Sequence, residues 1–136
     1  IDAVATPQLD AVVFQMTDAI SAGNFDKAAA VLGDLYHMQE APIKIMYSLG
    51  RQLRQLYSAR LALEAHKGTD YLMQLWGLRS AYPAQKLMDS ARRFSLDWCR
   101  RAVVRCGETD LAMKSGGDGK ELLTGLLMEL SVKKER

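Results

Sequence analysis

Apolar residues recur three and four positions apart along nearly the whole chain, and no stretch keeps the alternation of a half-buried β-strand. This periodicity predicts an all-α fold, a compact bundle of about six to seven helices around one long central helix. The length of 136 residues suits one domain. Breaks at Gly, Asn, Ser and Pro separate helices that we expect at about residues 8–21, 26–38, 41–67, 70–76, 80–94, 96–114 and 120–131.

The third helix is predicted to be the longest and to lie at the centre of the bundle. Apolar side chains occupy most of its circumference, which is typical of a helix with neighbours on several sides. Its other positions form one narrow stripe that we expect to face solvent: Lys44, Ser48, Arg51, Gln52, Gln55, Ser58 and Ala62.

The composition, 49% hydrophobic and 25% charged, is that of an ordinary soluble domain. The most apolar run, residues 122–130, is short and interrupted, whereas a membrane span needs roughly 20 apolar residues. Cys99 and Cys106 are seven positions apart on one predicted helix, which separates them by about 10 Å, too far for a disulfide. We therefore expect a soluble, cytoplasmic protein with reduced thiols and no membrane contact.

The formal charge is unevenly distributed along the chain. Residues 1–43 contain six acidic residues and one lysine, a net charge of −5, whereas residues 44–136 carry +7. Such asymmetry favours association with a neighbour of complementary charge. It is much weaker than the dense basic patch of a dedicated DNA-binding protein.

No motif predicts catalysis. The segment 116–120, GGDGK, is similar to a phosphate-binding loop, but that motif needs Gly at position 114 and Ser or Thr at position 121, where Lys114 and Glu121 stand. His37 and His66 have no His, Cys, Asp or Glu clustered with them at helical spacing. We expect no catalytic residue, no metal, no cofactor and no small-molecule ligand.

Asp110 is the one carboxylate on the apolar stripe of the sixth predicted helix, where it needs a cationic or hydrogen-bonding partner. Lys114 is one turn further along the helix, and Arg54 and Arg93 are the other candidate partners. We interpret the group as a structural ion pair, because the sequence positions no second acid or base for catalysis.

A basic cluster is formed by Arg92, Arg93, Arg100, Arg101 and Arg105. Only some of the five can share one face at helical spacing. A solvated face, a contact with an acidic protein and a contact with nucleic acid are all open interpretations.

Three stretches together resemble a known family. The first is FQMTDAISAGN at residues 14–24, and the second is LGRQLRQL at residues 49–56. The third runs from Tyr82-Pro83 through Ala91–Ser95 to DLAMKSG at residues 110–116. In their order and spacing they are similar to the C-terminal domain of the delta subunit of bacterial DNA polymerase III. The resemblance extends over about residues 9–131.

The resemblance implies a collar-like helical domain of the clamp loader, which acts in DNA replication by placing the sliding clamp on primed DNA. In that family the C-terminal domains of five subunits pack side by side, so the expected partners are the other clamp-loader subunits. Direct DNA contact by this domain is expected to be weak or indirect. The polymerase activity, a DNA-directed nucleotidyl transfer, belongs to the holoenzyme, and the domain itself is expected to be noncatalytic.

We accordingly expect residues 1–8 to be a residual interdomain linker, residues 9–131 the helical domain, and residues 132–136 a frayed tail. The last helix is the candidate for the interface that holds the subunit in the assembly, through Leu122, Leu123, Leu126, Leu127 and Leu130. The alternative function is a helical nucleic-acid-binding module that uses the basic cluster from Arg92 to Arg105.

Overall fold

The computed structural model describes residues 7–132, which form seven α-helices and no β-strand. The all-α bundle predicted from the sequence is confirmed. Residues 1–6 and 133–136, which contain most of the expected linker and tail, lie outside the described residues. In chain order the helices are α1 (Pro7–Ser21), α2 (Phe25–His37), α3 (Pro42–Glu64), α4 (Thr69–Trp76), α5 (Ala81–Ala91), α6 (Leu96–Lys114) and α7 (Gly119–Val132).

Helix α3 is the longest helix and the centre of the bundle. It has 23 residues and packs against α1, α4, α5, α6 and α7. Ile45, Leu49, Leu53 and Leu56 are each at most 2% exposed. Since burying one such side chain stabilises a fold by about 1.5–3 kcal/mol, these four alone contribute roughly 6–12 kcal/mol to the core.

The polar stripe of α3 packs against α1, so the expectation that it faces solvent is wrong for Ser48, Gln52 and Gln55, of which none is more than 7% exposed. Ser48 Oγ donates to Asp10 Oδ1 over 2.6 Å, and Gln52 Nε2 donates to the Asp10 carbonyl oxygen over 2.8 Å. These bonds offset part of the cost of burying Ser48 and Gln52, although Gln52 Oε1 is buried without a hydrogen-bond partner. Ala62, also expected on that stripe, is 1% exposed.

The solvent-facing side of α3 instead carries apolar side chains. Ile43, Tyr47 and Leu61 are each 42–43% exposed. Tyr47 follows Ile43 by four positions and Leu61 follows Tyr47 by fourteen, and both spacings place side chains on the same face of an α-helix. The expected polarity of the two sides of α3 is therefore inverted at these positions.

Local signals in the sequence set the helix ends. Gly23, at φ +77°, closes the turn between α1 and α2, a conformation that L side chains rarely adopt. Ser95 caps α6, since its side chain accepts a hydrogen bond from the Trp98 backbone N–H over 3.0 Å. Trp98 also stacks on Phe94 at a centroid distance of 4.0 Å. Its indole Nε1 donates to the Leu130 carbonyl oxygen over 3.3 Å, which joins the start of α6 to the end of α7.

The two cysteines are free and buried, at 1% and 4% exposure. Burial raises the pKa of both Cys99 and Cys106 to about 12, because the thiolate is poorly solvated there. Both are therefore protonated core residues at neutral pH. No helix in the described part of the chain has the length and hydropathy to cross a membrane.

Candidate interaction surfaces

The group around Asp110 is an exposed ion pair at the edge of the α3–α6 packing. Lys114 Nζ lies 2.9 Å from Asp110 Oδ2, and the Asp110 side chain is 36% exposed, so the carboxylate is less buried than its place in the sequence suggested. Arg54 lines the same cavity of about 220 Å³, without an ion pair to Asp110. Arg93 is not a partner of Asp110, because its Nη1 lies 3.1 Å from Ser21 Oγ on α1 and also pairs with an acid of that helix.

Each arginine of the basic cluster has a carboxylate partner in this chain. Arg92 pairs with Asp89, Arg93 with Asp18, Arg100 and Arg101 with Asp97, and Arg105 with Glu108 and Glu129. The hydrogen bonds that Arg105 donates to Glu108 and to Glu129 raise the pKa of its guanidinium further, because they favour the charged form. These pairs are largely exposed and contribute little to stability, but they offset most of the positive charge of the cluster.

The five arginines also contact different parts of the fold. Arg93 reaches α1, and Arg105 reaches Glu129 on α7 over 2.9 Å. Arg100, Arg101 and Arg105 line a mainly apolar cavity of about 330 Å³ between α6 and α7. The cluster seen in the sequence is therefore divided in the fold.

The leucines proposed as an interface on α7 belong to the core. Leu123, Leu126, Leu127 and Leu130 are between 0% and 4% exposed, and Leu122 is half-buried. Their face of α7 packs against α2, α3 and α6 of the same chain. The prediction that they form an exposed interface is wrong, because the fold already covers them.

Other exposed apolar side chains lie on α3 and α6, and we name them together the α3–α6 face. They are Ile43 and Tyr47 on α3, and Val104 and Leu111 on α6, which are 53% and 66% exposed. Val104 also lines the cavity between α6 and α7. Val104 and Leu111 lie two turns apart on one side of α6, with Gly107 between them. Nothing lies within 4 Å of a Cβ built on Gly107, so the packing of this chain leaves this side of α6 open.

A second apolar surface lies where α2 crosses α7, and we name it the α2–α7 groove. Its cavity of about 240 Å³ is lined by Phe25, Ala29, Leu32, Gly33, Tyr36, Thr124, Leu127 and Met128. The Tyr36 hydroxyl donates to the Lys120 carbonyl oxygen and shares a hydrogen bond with Thr124 Oγ1, both over 3.2 Å, which fixes the two helices against each other. Burial raises the pKa of Tyr36, and the negative charge of Asp118 adds to the rise.

Within residues 7–132, no three His, Cys, Asp or Glu side chains are placed to hold a metal ion. His37 ends α2, and His66 follows α3 in the left-handed region at φ 58°. The segment that is similar to a phosphate-binding loop lies between two helices, at the end of α6 and the start of α7. The described chain also exposes several large apolar side chains on its helices, among them Leu111 and Met128.

The chain belongs to the family described as DNA polymerase III delta subunit, C-terminal domain, which matches residues 10–130. Its fold is similar to the solved structure of the Bacillus subtilis DNA clamp loader delta protein (YqeN), with a TM-score of 0.86 and 25% sequence identity. The match covers 92% of this chain and 37% of that protein, so the chain spans well under half of the relative's length. No curated protein matches the chain significantly. The resemblance noted in the sequence is confirmed by the family match and by the shared fold.

Proposed function

We propose that this chain is a noncatalytic oligomerisation domain of a clamp-loader delta subunit. It holds the subunit beside the C-terminal domains of the other subunits in the pentameric assembly that loads the sliding clamp onto primed DNA. The observation that carries the proposal is the family match over residues 10–130, together with the same fold in a protein named as a clamp loader delta protein.

The α3–α6 face is the surface that we assign to a neighbouring subunit. Isolated exposed apolar residues are ordinary, but Tyr47, Leu111 and two more exposed apolar residues occur on two helices that pack against each other. Covering this face removes apolar area from water without disturbing the core, which the α7 leucines could not provide. Tyrosine in addition is enriched at the centres of protein interfaces.

The charge pattern favours protein contact over DNA contact. A DNA interface needs lysines and arginines that are free to replace counterions on phosphates. The arginines from Arg92 to Arg105 already pair with carboxylates of this chain, so each would have to give up a partner first. Any contact of this domain with DNA is accordingly weak or indirect.

Light scattering and co-elution test the proposal directly. The 136-residue chain is mixed with the C-terminal domains of the other clamp-loader subunits of the same organism, and a stable stoichiometric complex is expected. If the chain binds none of them, the proposed function fails. If it instead binds primed DNA at moderate salt, with an affinity that falls steeply as salt rises, the nucleic-acid-binding alternative replaces it.

Two matched leucine variants locate the interface. Leu111→Lys places a charge on the α3–α6 face, whereas Leu75→Lys makes the same change on α4, where Leu75 is 53% exposed. We expect Leu111→Lys to weaken the complex about tenfold or more and Leu75→Lys to leave it unchanged. Equal effects of the two variants would show that the α3–α6 face is not the contact.

A further inference from the structure

The α2–α7 groove has the shape of a site for a helix. Phe25 and Met128, 40% and 52% exposed, stand on its two walls, and Ala29 and Gly33 lie between them on α2. A Cβ built on Gly33 would have no atom within 4 Å, and glycine itself has no side chain. The backbone of a bound helix can therefore approach α2 closely at this position. From Phe25 to Tyr36 the α2 wall spans twelve residues, a rise of about 16 Å, which equals three turns of a bound helix.

Several acidic residues on the elements that form this groove have no ionic partners. Among residues 7–132, six acidic side chains form no ion pair, and five of them are on α2, on the link that follows it or at the start of α7. The five are Asp26, Asp34, Glu40, Asp118 and Glu121. The acidic residues of α1, α3, α5 and α6 are all paired, so unpaired negative charge is concentrated on α2, the link after it and the start of α7.

Three of these acidic residues lie at the two ends of the groove. Asp26 follows Phe25 at one end. Asp118 is close enough to Tyr36 to raise its pKa at the other end, and Glu121 is one turn before Thr124. The nearby lysines do not balance them, since only Lys27 and Lys120 belong to this region, and the ammonium of Lys120 is placed over the Tyr36 ring at 5.4 Å.

We propose that the α2–α7 groove binds an amphipathic helix of a neighbouring clamp-loader subunit, and that this helix carries lysine or arginine beside its apolar face. The inference rests on the proposed function for the class of partner, and it adds a second contact surface and the chemistry that selects its ligand. An apolar groove between two helices takes apolar side chains spaced three and four positions apart. Basic side chains that flank them would then meet the unpaired acidic residues.

Adjacent alanines on α2 provide a matched pair of variants. Both Ala29 and Ala30 are exposed, but only Ala29 lines the groove. Ala29→Trp fills the groove with a large side chain, whereas Ala30→Trp places the same side chain on the neighbouring face. A second variant, Asp26→Lys with Glu121→Lys, reverses the charge of the rim and leaves the groove open. Thermal unfolding of each variant establishes that it is folded.

The affinity of the 136-residue chain for the C-terminal domains of the other subunits is measured by isothermal titration at low and at high salt. We expect Ala29→Trp to weaken binding about tenfold or more, with Ala30→Trp equal to the unaltered chain. The charge-reversed variant should bind more weakly and lose most of the salt dependence.

The other possible results distinguish a failure of the groove proposal from a failure of the proposed function. If the unaltered chain binds and both groove variants bind equally well, the groove is not a contact and the proposed function stands without it. If Ala29→Trp is weak but the charge-reversed variant is not, the bound helix does not carry basic side chains, and the proposal is overturned in that part. If the unaltered chain binds no subunit, the proposed function fails and this inference fails with it.

Discussion

Replacing Leu126 by alanine should unfold the domain more easily, and the structure sets the size of the effect. Leu126 is 1% exposed on the face of α7 that packs into the bundle. Losing three buried carbons costs about 2 kcal/mol of transfer free energy, and the unfilled space adds about 1–2 kcal/mol. The expected loss of unfolding free energy is therefore about 3–4 kcal/mol, a large part of the stability of a small domain.

Urea unfolding followed by circular dichroism measures this loss. With a denaturant slope of about 2 kcal/mol per M for a domain of this size, the midpoint should fall by about 1.5–2 M. The control is Met128→Ala on the same helix, where the side chain is 52% exposed and the loss should stay below about 1 kcal/mol. The assignment of the α7 leucines to the core would be refuted if Leu126→Ala lowered the unfolding free energy by less than about 1 kcal/mol and also weakened binding to the other subunits. That result would show that α7 forms an interface.

Three further changes test other parts of the structure. Ser95→Ala removes the cap of α6 and should lower the unfolding free energy, measured by urea unfolding, by about 1 kcal/mol. Its control is Ser58→Ala, which should have almost no effect because that exposed hydroxyl bonds only within its own helix. Ser48→Ala breaks the 2.6 Å bond to Asp10 and should cost about 1.5–3 kcal/mol by the same assay, and an unchanged midpoint would mean that the buried stripe of α3 does not depend on this bond. The pKa of Cys99 and Cys106 is raised to about 12 in the folded chain, so their contribution to stability is complete below the usual thiol pKa and is lost as the pH rises toward 12. The unfolding free energy should then fall by about 1 kcal/mol or more per pH unit above pH 9, and a variant with alanine at both positions should lack that slope.

The helix ends were largely predictable because their signals are local. The capping serine of α6 and the turn at Gly23 act on residues within four positions, so the sequence carries the whole interaction. The central place of α3 was likewise predictable, since its apolar circumference requires neighbours on several sides.

The orientation of α3 was not predictable, because its cause lies far away in the chain. Ser48 and Gln52 are buried because Asp10, on α1 and about forty positions earlier, offers acceptors to both. Nothing in the local pattern distinguishes a polar stripe that meets such a partner from one that meets water. The prediction that the α7 leucines form an interface was wrong for a related reason. The same helical spacing of apolar residues occurs in a core and in an interface, and only the fold shows that Leu123 and Leu126 are buried.

The surface assignments depended on contacts of the same long-range kind. The arginines from Arg92 to Arg105 are basic in the sequence, yet two of their carboxylate partners, Asp18 and Glu129, come from helices at opposite ends of the chain. The α3–α6 face and the α2–α7 groove were missed because each combines single residues of two helices. Val104 and Leu111 alone show no pattern that marks them as exposed.

The hydrogen bond from the Trp98 indole to Leu130 has a consequence for the evolution and engineering of the last turn of α7. The acceptor is a main-chain oxygen, so substitution of the Leu130 side chain leaves it in place, and many sequences can satisfy it. Only shortening the chain before residue 130, or a proline that distorts this turn, removes the acceptor. The far edge of the fold is therefore fixed by chain length rather than by side-chain identity, and the Trp98 fluorescence reports whether that edge is intact.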